Sequence, residues 1–214
     1  MAVLLINKPE GITSHDVVDR VRRITGERRV GHAGTLDPFA QGLLIVLVGR
    51  DDTKRQAEFM GQEKEYVTTL RLGLETDSFD RTGAPTTLAY EGLPPTEDAV
   101  RAVLKRFVGP LEQIPPAFSA INIGGKRAYH FARKGEVPNL KARTITVREL
   151  ELVGYAWPDL QLRMAVSSGT YVRALARDIG RALGTGAHVK NLTRTRIGGY
   201  RLAQAKTLEE LVKM

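Results

Sequence analysis

The six residues Leu43-Leu44-Ile45-Val46-Leu47-Val48 carry no polar side chain. A run this short and this uniformly apolar reads as a strand buried on both faces, so the chain must build a core on each side of it. Directly before it stands Gly31-His32-Ala33-Gly34-Thr35-Leu36-Asp37-Pro38, a glycine-rich loop that presents one carboxylate. Loops anchored by a rigid strand are where chemistry is placed, which makes Asp37 the first candidate for a reacting group. Gly34, Asp37, Pro38 and Gly42 are also turn residues. On the loop alone, an aspartate that merely accepts backbone hydrogen bonds is the competing reading.

The remaining pattern alternates helices with strands. Val3 to Ile6 reads as a first strand, followed by a turn at Lys8-Pro9-Glu10-Gly11. Thr13 or Ser14 can cap a helix with Val17, Val21 and Ile24 on one face, ending near Gly26. Tyr66, Thr68, Leu70 and Leu72 alternate with their neighbours as in a strand with one buried face. Thr96 to Phe107 is a helix with a stripe of Val100, Val103, Leu104 and Phe107. Leu160, Leu162, Met164 and Val166 form another strand, and Val172, Leu175, Ala176, Ile179 and Leu183 face one side of a helix that Gly184 ends. A capping box runs from Thr207 to Glu210. Helices among alternating strands indicate an α+β class.

The formal net charge of +8 is unevenly spread. From Gln161 to Met214 there are ten Lys or Arg against Asp178, Glu209 and Glu210, and Arg20, Arg22, Arg23, Arg28 and Arg29 lead into the Gly31 loop. Between Gln113 and Arg148 the composition shifts to proline, glycine and basic residues: Lys126, Arg127, Arg133, Lys134, Lys141, Arg143 and Arg148 face only Glu136. Such a segment reads as an insertion within a domain. Basic surface around a candidate reaction loop points to a polyanion, most simply a nucleic acid.

Other classes are disfavoured. There is no cysteine, hence no disulfide and no thiolate metal site, and four scattered histidines make a metal site improbable. No apolar run reaches membrane-span length, and the first residues show no basic leader. We therefore expect a cytoplasmic protein with no membrane partner. No dinucleotide fingerprint is present. Near Lys126 the P-loop pattern fails at Ala120 and Arg127, so no cofactor is expected.

A chain-long set of blocks adds to this reading: Asn7-Lys8-Pro9-Glu10-Gly11, Gly31 to Gly42, Lys64-Glu65-Tyr66, Arg71-Leu72-Gly73 and Thr76-Asp77-Ser78-Phe79-Asp80. They continue with Pro115-Pro116-Ala117-Phe118-Ser119-Ala120, Gly125-Lys126-Arg127-Ala128-Tyr129, Ser168-Gly169-Thr170-Tyr171-Val172-Arg173 and Gly186-Ala187-His188-Val189. In this order they resemble the TruB-type tRNA pseudouridine-55 synthases. The resemblance implies the pseudouridine synthase fold, a mixed and largely antiparallel sheet with flanking helices, and a catalytic domain over 1–214. Segment 113–148 would be an RNA-gripping thumb, and the C-terminal PUA domain would be absent or truncated. It implies Asp37 as the catalytic carboxylate, Arg173 as its cationic partner and Tyr66 as the residue stacking on the detached uracil. His32 would occupy the space of the flipped base, with Lys8, Leu192 and Thr35 as further substrate-binding positions. The implied partner is the T-stem-loop of tRNA, without a guide RNA, and the implied state is a monomer.

Three rivals remain at this stage. A non-catalytic tRNA-binding or tRNA-folding protein would share the basic face but would not need Asp37, Tyr66 and Arg173 together. A glycosidase would require a second carboxylate, for which Asp77 or Asp80 could be named. The guide-RNA-dependent enzymes of the superfamily share the Gly-His-x-Gly-Thr-Leu-Asp-Pro core, but the thumb insertion matches the standalone type.

Overall fold

The computed structural model describes residues 2–87, 89–132, 134–136 and 139–213; Arg133 and Met214, both named above, lie outside the described residues. In chain order the elements are β1 (Ala2–Lys8), α1 (Ser14–Thr25), β2 (Val30–Ala33), β3 (Gln41–Val48), α2 (Arg50–Lys54), α3 (Gln56–Met60), β4 (Lys64–Leu72) and α4 (Glu97–Lys105). There follow β5 (Gly109–Gln113), β6 (Asn122–Ile123), β7 (Lys126–Arg127), α5 (Ala128–Ala132), β8 (Arg143–Ala156), β9 (Asp159–Val166), α6 (Val172–Ala182), β10 (Ala187–Ile197), β11 (Tyr200–Arg201) and α7 (Leu208–Val212). Hydrogen bonding orders the strands β1-β3-β10-β4-β9-β8-β5, with β2 also on β3 and β11 also on β10. The β3–β10 pair is parallel, whereas β1–β3, β2–β3 and β5–β8 are antiparallel.

By contact the chain divides into two units, one of Met1–Thr68, Arg163–Ser168 and Asn191–Met214, the other of Thr69–Leu162 and Gly169–Lys190. In the first unit β3 is covered on both faces, as its composition requires. Leu44, Val46 and Val48 pack in a cluster with Ile6, Val17, Val18, Val21, Val30, Leu208 and Leu211. Leu43, Ile45 and Leu47 pack on the other side with Ala33, Phe59 and Ile197. Helix α1 starts at Thr13, whose side chain accepts from Asp16 N–H in a capping box, and stops at Gly26 with φ 70°.

One edge of β3 changes partner along its length. Its first residues pair with β10, Gln41 with Thr193 and Gly42 with Arg194, whereas Ile45 to Val48 pair with β2. The loop from Gly34 to Ala40 leaves the sheet at this fork. Gly31 to Ala33 therefore belongs to a strand, with His32 opposite Val46. This corrects the reading of the whole octapeptide as loop: the exposed edge of β3 recruits residues whose local sequence signals a turn.

In the second unit Thr96 caps α4 by accepting from Ala99 N–H. Strand β5 pairs with β8 from Gly109–Val147 to Gln113–Arg143. Residues Arg143 to Arg148 thus lie within a long strand, and the part of the basic segment that leaves the sheet is 114–142, containing β6, β7 and α5.

Gly42 sits at the fork with φ +108°, and a Cβ there would lie 2.4 Å from the Arg194 carbonyl oxygen. Gly42→Ala is expected to destabilise the protein by about 2–5 kcal/mol, from strain and steric overlap together. The urea unfolding midpoint measures this, and an unshifted midpoint would show that the fork is not tight.

Candidate active site

Asp37 is half-buried on the loop that leaves the fork, and the backbone on each side of it is held by groups from elsewhere in the first unit. Before it, Ser14 Oγ accepts from Leu36 N–H at 2.9 Å and donates to the Leu36 carbonyl at 3.1 Å. At the residue itself, Ala40 N–H donates to the Asp37 carbonyl at 3.1 Å. After it, the Pro38 carbonyl accepts from Gly11 N–H at 2.8 Å and from Lys8 Nζ at 3.4 Å. At the loop's ends, Arg194 Nε donates to the Leu43 carbonyl at 2.8 Å and its NH2 to the Gly34 carbonyl at 2.8 Å. A fork leaves carbonyls without strand partners, and buried ones must find donors. Here the donors are the side chains of Ser14, Lys8 and Arg194 together with the backbone N–H groups of Gly11 and Ala40.

Three of the donating or neighbouring groups are buried cations: Lys8 at 0% exposure, Arg194 at 1% and Lys64 at 6%. Lys8 also donates to the carbonyls of Pro9 at 2.8 Å and Ile12 at 2.6 Å, so it serves the site by holding the loop and the following turn. Burial pulls its pKa down to about 8, against the attraction of Asp37 and Glu10. Burial, reinforced by Arg194, does the same to Lys64, also to about 8; Lys64 Nζ is capped by the carbonyls of Met60 and Gln62, both at 2.6 Å. His32 is pushed below the usual histidine range by burial and then by Arg194 and His15, so its ring is neutral at pH 7. Its Nδ1 is buried without a hydrogen-bond partner, and its carbonyl accepts from Gln56 Nε2 at 2.7 Å.

The other expected residues of this unit fall on β4, β10 and the loop. Tyr66 is buried on the β4 face that also carries Lys64 and Thr68. Leu192 is buried on β10, where Thr68 Oγ1 donates to the adjacent Asn191 carbonyl at 2.8 Å. Thr35 is exposed on the loop.

Arg173 belongs to the second unit, where it is the second residue of α6 and 4% exposed. Its guanidinium donates to the Ser78 carbonyl at 3.0 Å and the Phe118 carbonyl at 2.9 Å, and stands 3.5 Å from Asp80 Oδ2. Asp80 Oδ1 accepts from Ser78 Oγ, Thr82 N–H and Thr82 Oγ1 at 2.6–2.9 Å, while Asp77 Oδ1 accepts from Ala84 N–H at 2.9 Å. These carboxylates hold a turn and orient an arginine.

Ser14, Lys64 and Arg194 were not singled out as site residues from sequence. Ser14 looked like one of two possible helix caps, and the clamp on Leu36, 22 residues away, has no local signal. Arg194 did have one: it stands two residues after Leu192 on an alternating strand, the parity of the buried face.

Comparison with known proteins bears directly on this arrangement. The family model described as "TruB family pseudouridylate synthase (N terminal domain)" matches residues 22–172, and "tRNA pseudouridylate synthase B C-terminal domain" matches 173–214. The chain belongs to the TruB family. The tRNA pseudouridine synthase B of Parabacteroides distasonis, a TruB relative, is 48% identical over 98% of this chain and 91% of its own length. That of Thermobifida fusca is 46% identical over 98% of this chain and 73% of its own. Among solved structures, a chain of the archaeal box H/ACA sRNP Nop10–Cbf5 complex superposes with a TM-score of 0.73 at 32% identity over 99% of this chain. The TruB-family chain described here spans 52% of that longer one.

The lysine environment predicts a pH response. Lys8 and Lys64 titrate near 10.5 when unfolded and about 8 when folded, so between these values the unfolded chain binds more protons and stability rises with pH. Relative to Lys8→Met, the wild-type urea midpoint is expected to climb across this window; parallel midpoints would show that Lys8 titrates normally.

Proposed function

We propose that the protein isomerises uridine to pseudouridine in tRNA, at the T-loop uridine of position 55, acting on free tRNA without a guide RNA, as a monomer in the cytoplasm. The observation that carries this is Asp37 on a loop whose flanking backbone is fixed by Ser14, Gly11, Lys8 and Arg194. A non-catalytic RNA-binding protein has no need of a carboxylate carried on backbone fixed so closely on both sides. Pre-organisation of this kind is what a reacting group requires.

The N1–C1′ bond of the target nucleotide breaks, the uracil turns, and C5 joins C1′. C5 then loses its proton and N1 carries one in the product, so the reaction consumes nothing. Asp37 either attacks the sugar or takes its 2′ proton. In this reading Tyr66 stacks on the detached base and takes the C5 proton. Arg173, oriented by Ser78, Phe118 and Asp80, is the cation for the ionised carboxylate. The uridine must leave its stack first, which costs a few kcal/mol. His32 has an uncharged ring, suited to stacking in the vacated space, and Leu192 and Thr35 line the base site. RNA is gripped through phosphates by exposed Arg20, Arg23, Arg28 and Arg29 on and after α1, and by exposed Lys126, Lys134 and Lys141 of the insertion.

Asp37→Asn is expected to abolish tritium release from a T-stem-loop RNA labelled at uracil C5 while leaving RNA affinity nearly intact; turnover by this variant would overturn the assignment. Ser14→Ala is expected to lower kcat roughly 10- to 100-fold with KM little changed, because it frees the residue preceding Asp37. RNA affinity should fall with salt, with a log–log slope of about −0.7 per neutralised phosphate on single-stranded segments. A flat response in a filter-binding titration would exclude the phosphate grip.

A further inference from the structure

Both roots of the insertion close on the short stretch of chain that leads into α6. Gln113, the last residue of β5, is 2% exposed. Its Nε2 donates to the Tyr171 carbonyl at 3.1 Å and its Oε1 accepts from Tyr171 N–H at 2.9 Å. One carboxamide thus satisfies both backbone groups of Tyr171, the N-cap residue of α6, which makes no side-chain cap of its own. At the other root, Arg143 pairs with Gln113 across the strands. It donates to the Gly169 carbonyl and lays its guanidinium over the Tyr171 ring, 4.8 Å from the centroid. The helix reaches back: Arg173 NH2 donates to the Phe118 carbonyl at 2.9 Å and Arg177 NH2 to the Ile114 carbonyl at 3.1 Å. Arg177 also stacks on the ring of Phe79, 5.0 Å away, next to the carbonyl and carboxylate that orient Arg173.

These links join two things that chemistry would need to coordinate. The insertion carries exposed lysines at 126, 134 and 141, and the first turn of α6 carries Arg173. A loop free to move independently of α6 would not need its first residues bonded to the helix's N-cap and its later residues to Arg173 itself.

We propose that Gln113 is a positioning residue for Arg173. It makes the root of the insertion and the first turn of α6 one mechanical piece, so that RNA held by the insertion fixes the arginine guanidinium. This rests on the proposed RNA-binding role of the insertion. Gln113 touches neither RNA nor reacting atoms and acts through the Tyr171 backbone.

The test is a cycle of three variants of the full chain: Gln113→Ala, the triple Lys126→Ala/Lys134→Ala/Lys141→Ala, and all four changes together. Each is measured for Kd by filter binding and for single-turnover rate at saturating C5-tritiated T-stem-loop RNA. The triple variant is expected to raise Kd and also to lower the saturated rate. Gln113→Ala is expected to lower that rate roughly 10- to 100-fold with little change in Kd. In the combined variant the lysine changes still raise Kd but lower the rate no further, because the link that transmitted their effect is gone. Additive losses in rate would make Gln113 merely structural and overturn the proposal. An unchanged Kd in the triple variant would instead remove the RNA-binding reading of the insertion, and the proposal with it. Should thermal melting show Gln113→Ala unfolded, Gln113→Glu replaces it in the cycle. It keeps an oxygen for Tyr171 N–H and loses the donor to the Tyr171 carbonyl, and a wild-type saturated rate in that variant overturns the proposal.

Discussion

The fork along one edge of β3 is the constraint on which the first unit depends. A strand buried on both faces can be long only if both edges are paired, and β3 achieves this by taking β10 as neighbour at its start and β2 further on. The loop between β2 and β3 leaves at the place where one partner gives way to the other. Its carbonyls have no ladder to join, and an unpaired buried carbonyl costs about 1–3 kcal/mol. Arg194, Ser14 and Lys8 relieve that cost with their side chains, and in doing so they fix the backbone on both sides of Asp37. The demand of the fold and the demand of the site are met by the same bonds.

Those bonds require positive charge in the interior, which changes what the basic composition means. Of the ten cationic residues after Gln161, Arg173, Arg177 and Arg194 are buried. Arg181 pairs with Glu75, Lys190 with Asp159 and Arg196 with Glu63, each at 2.6–2.9 Å. Counting charge along the sequence therefore overstates the surface available to phosphates. Interior cations hold carbonyls and carboxylates, and the exposed ones on α1 and in the insertion are better placed for RNA.

The elements legible in the sequence are those whose cause is local. The uniform apolar run gave β3 because nothing but burial on both faces suits it. Thr13 and Gly26 bounded α1 through capping and a left-handed turn, and Tyr66 to Leu72 gave β4 through alternation. What was not legible was caused at a distance. Gly31 to Ala33 became a strand because β3 offered an edge, Ser14 became a clamp because Leu36 folds over it, and Arg143 left the insertion because β5 pairs with it. For the candidate site, the family resemblance named Asp37 and Arg173, but no spacing rule could show that the backbone around them is held by Ser14, Arg194 and Gln113.

The two units solve one problem in different ways. Around Asp37 the side-chain supports are buried: the Lys8 ammonium, the Arg194 guanidinium and the Ser14 hydroxyl, all bonded to backbone groups. Around Arg173 the supports include the Phe118 carbonyl and the Gln113–Tyr171 clamp, which belong to, or lead into, the basic insertion proposed to hold RNA. A carboxylate that must stay in place before RNA arrives is best held by the core. On the proposed mechanism Arg173 is needed as a cation only when RNA is bound, and its supports include a segment proposed to hold that RNA, so binding and the placing of the guanidinium become one event.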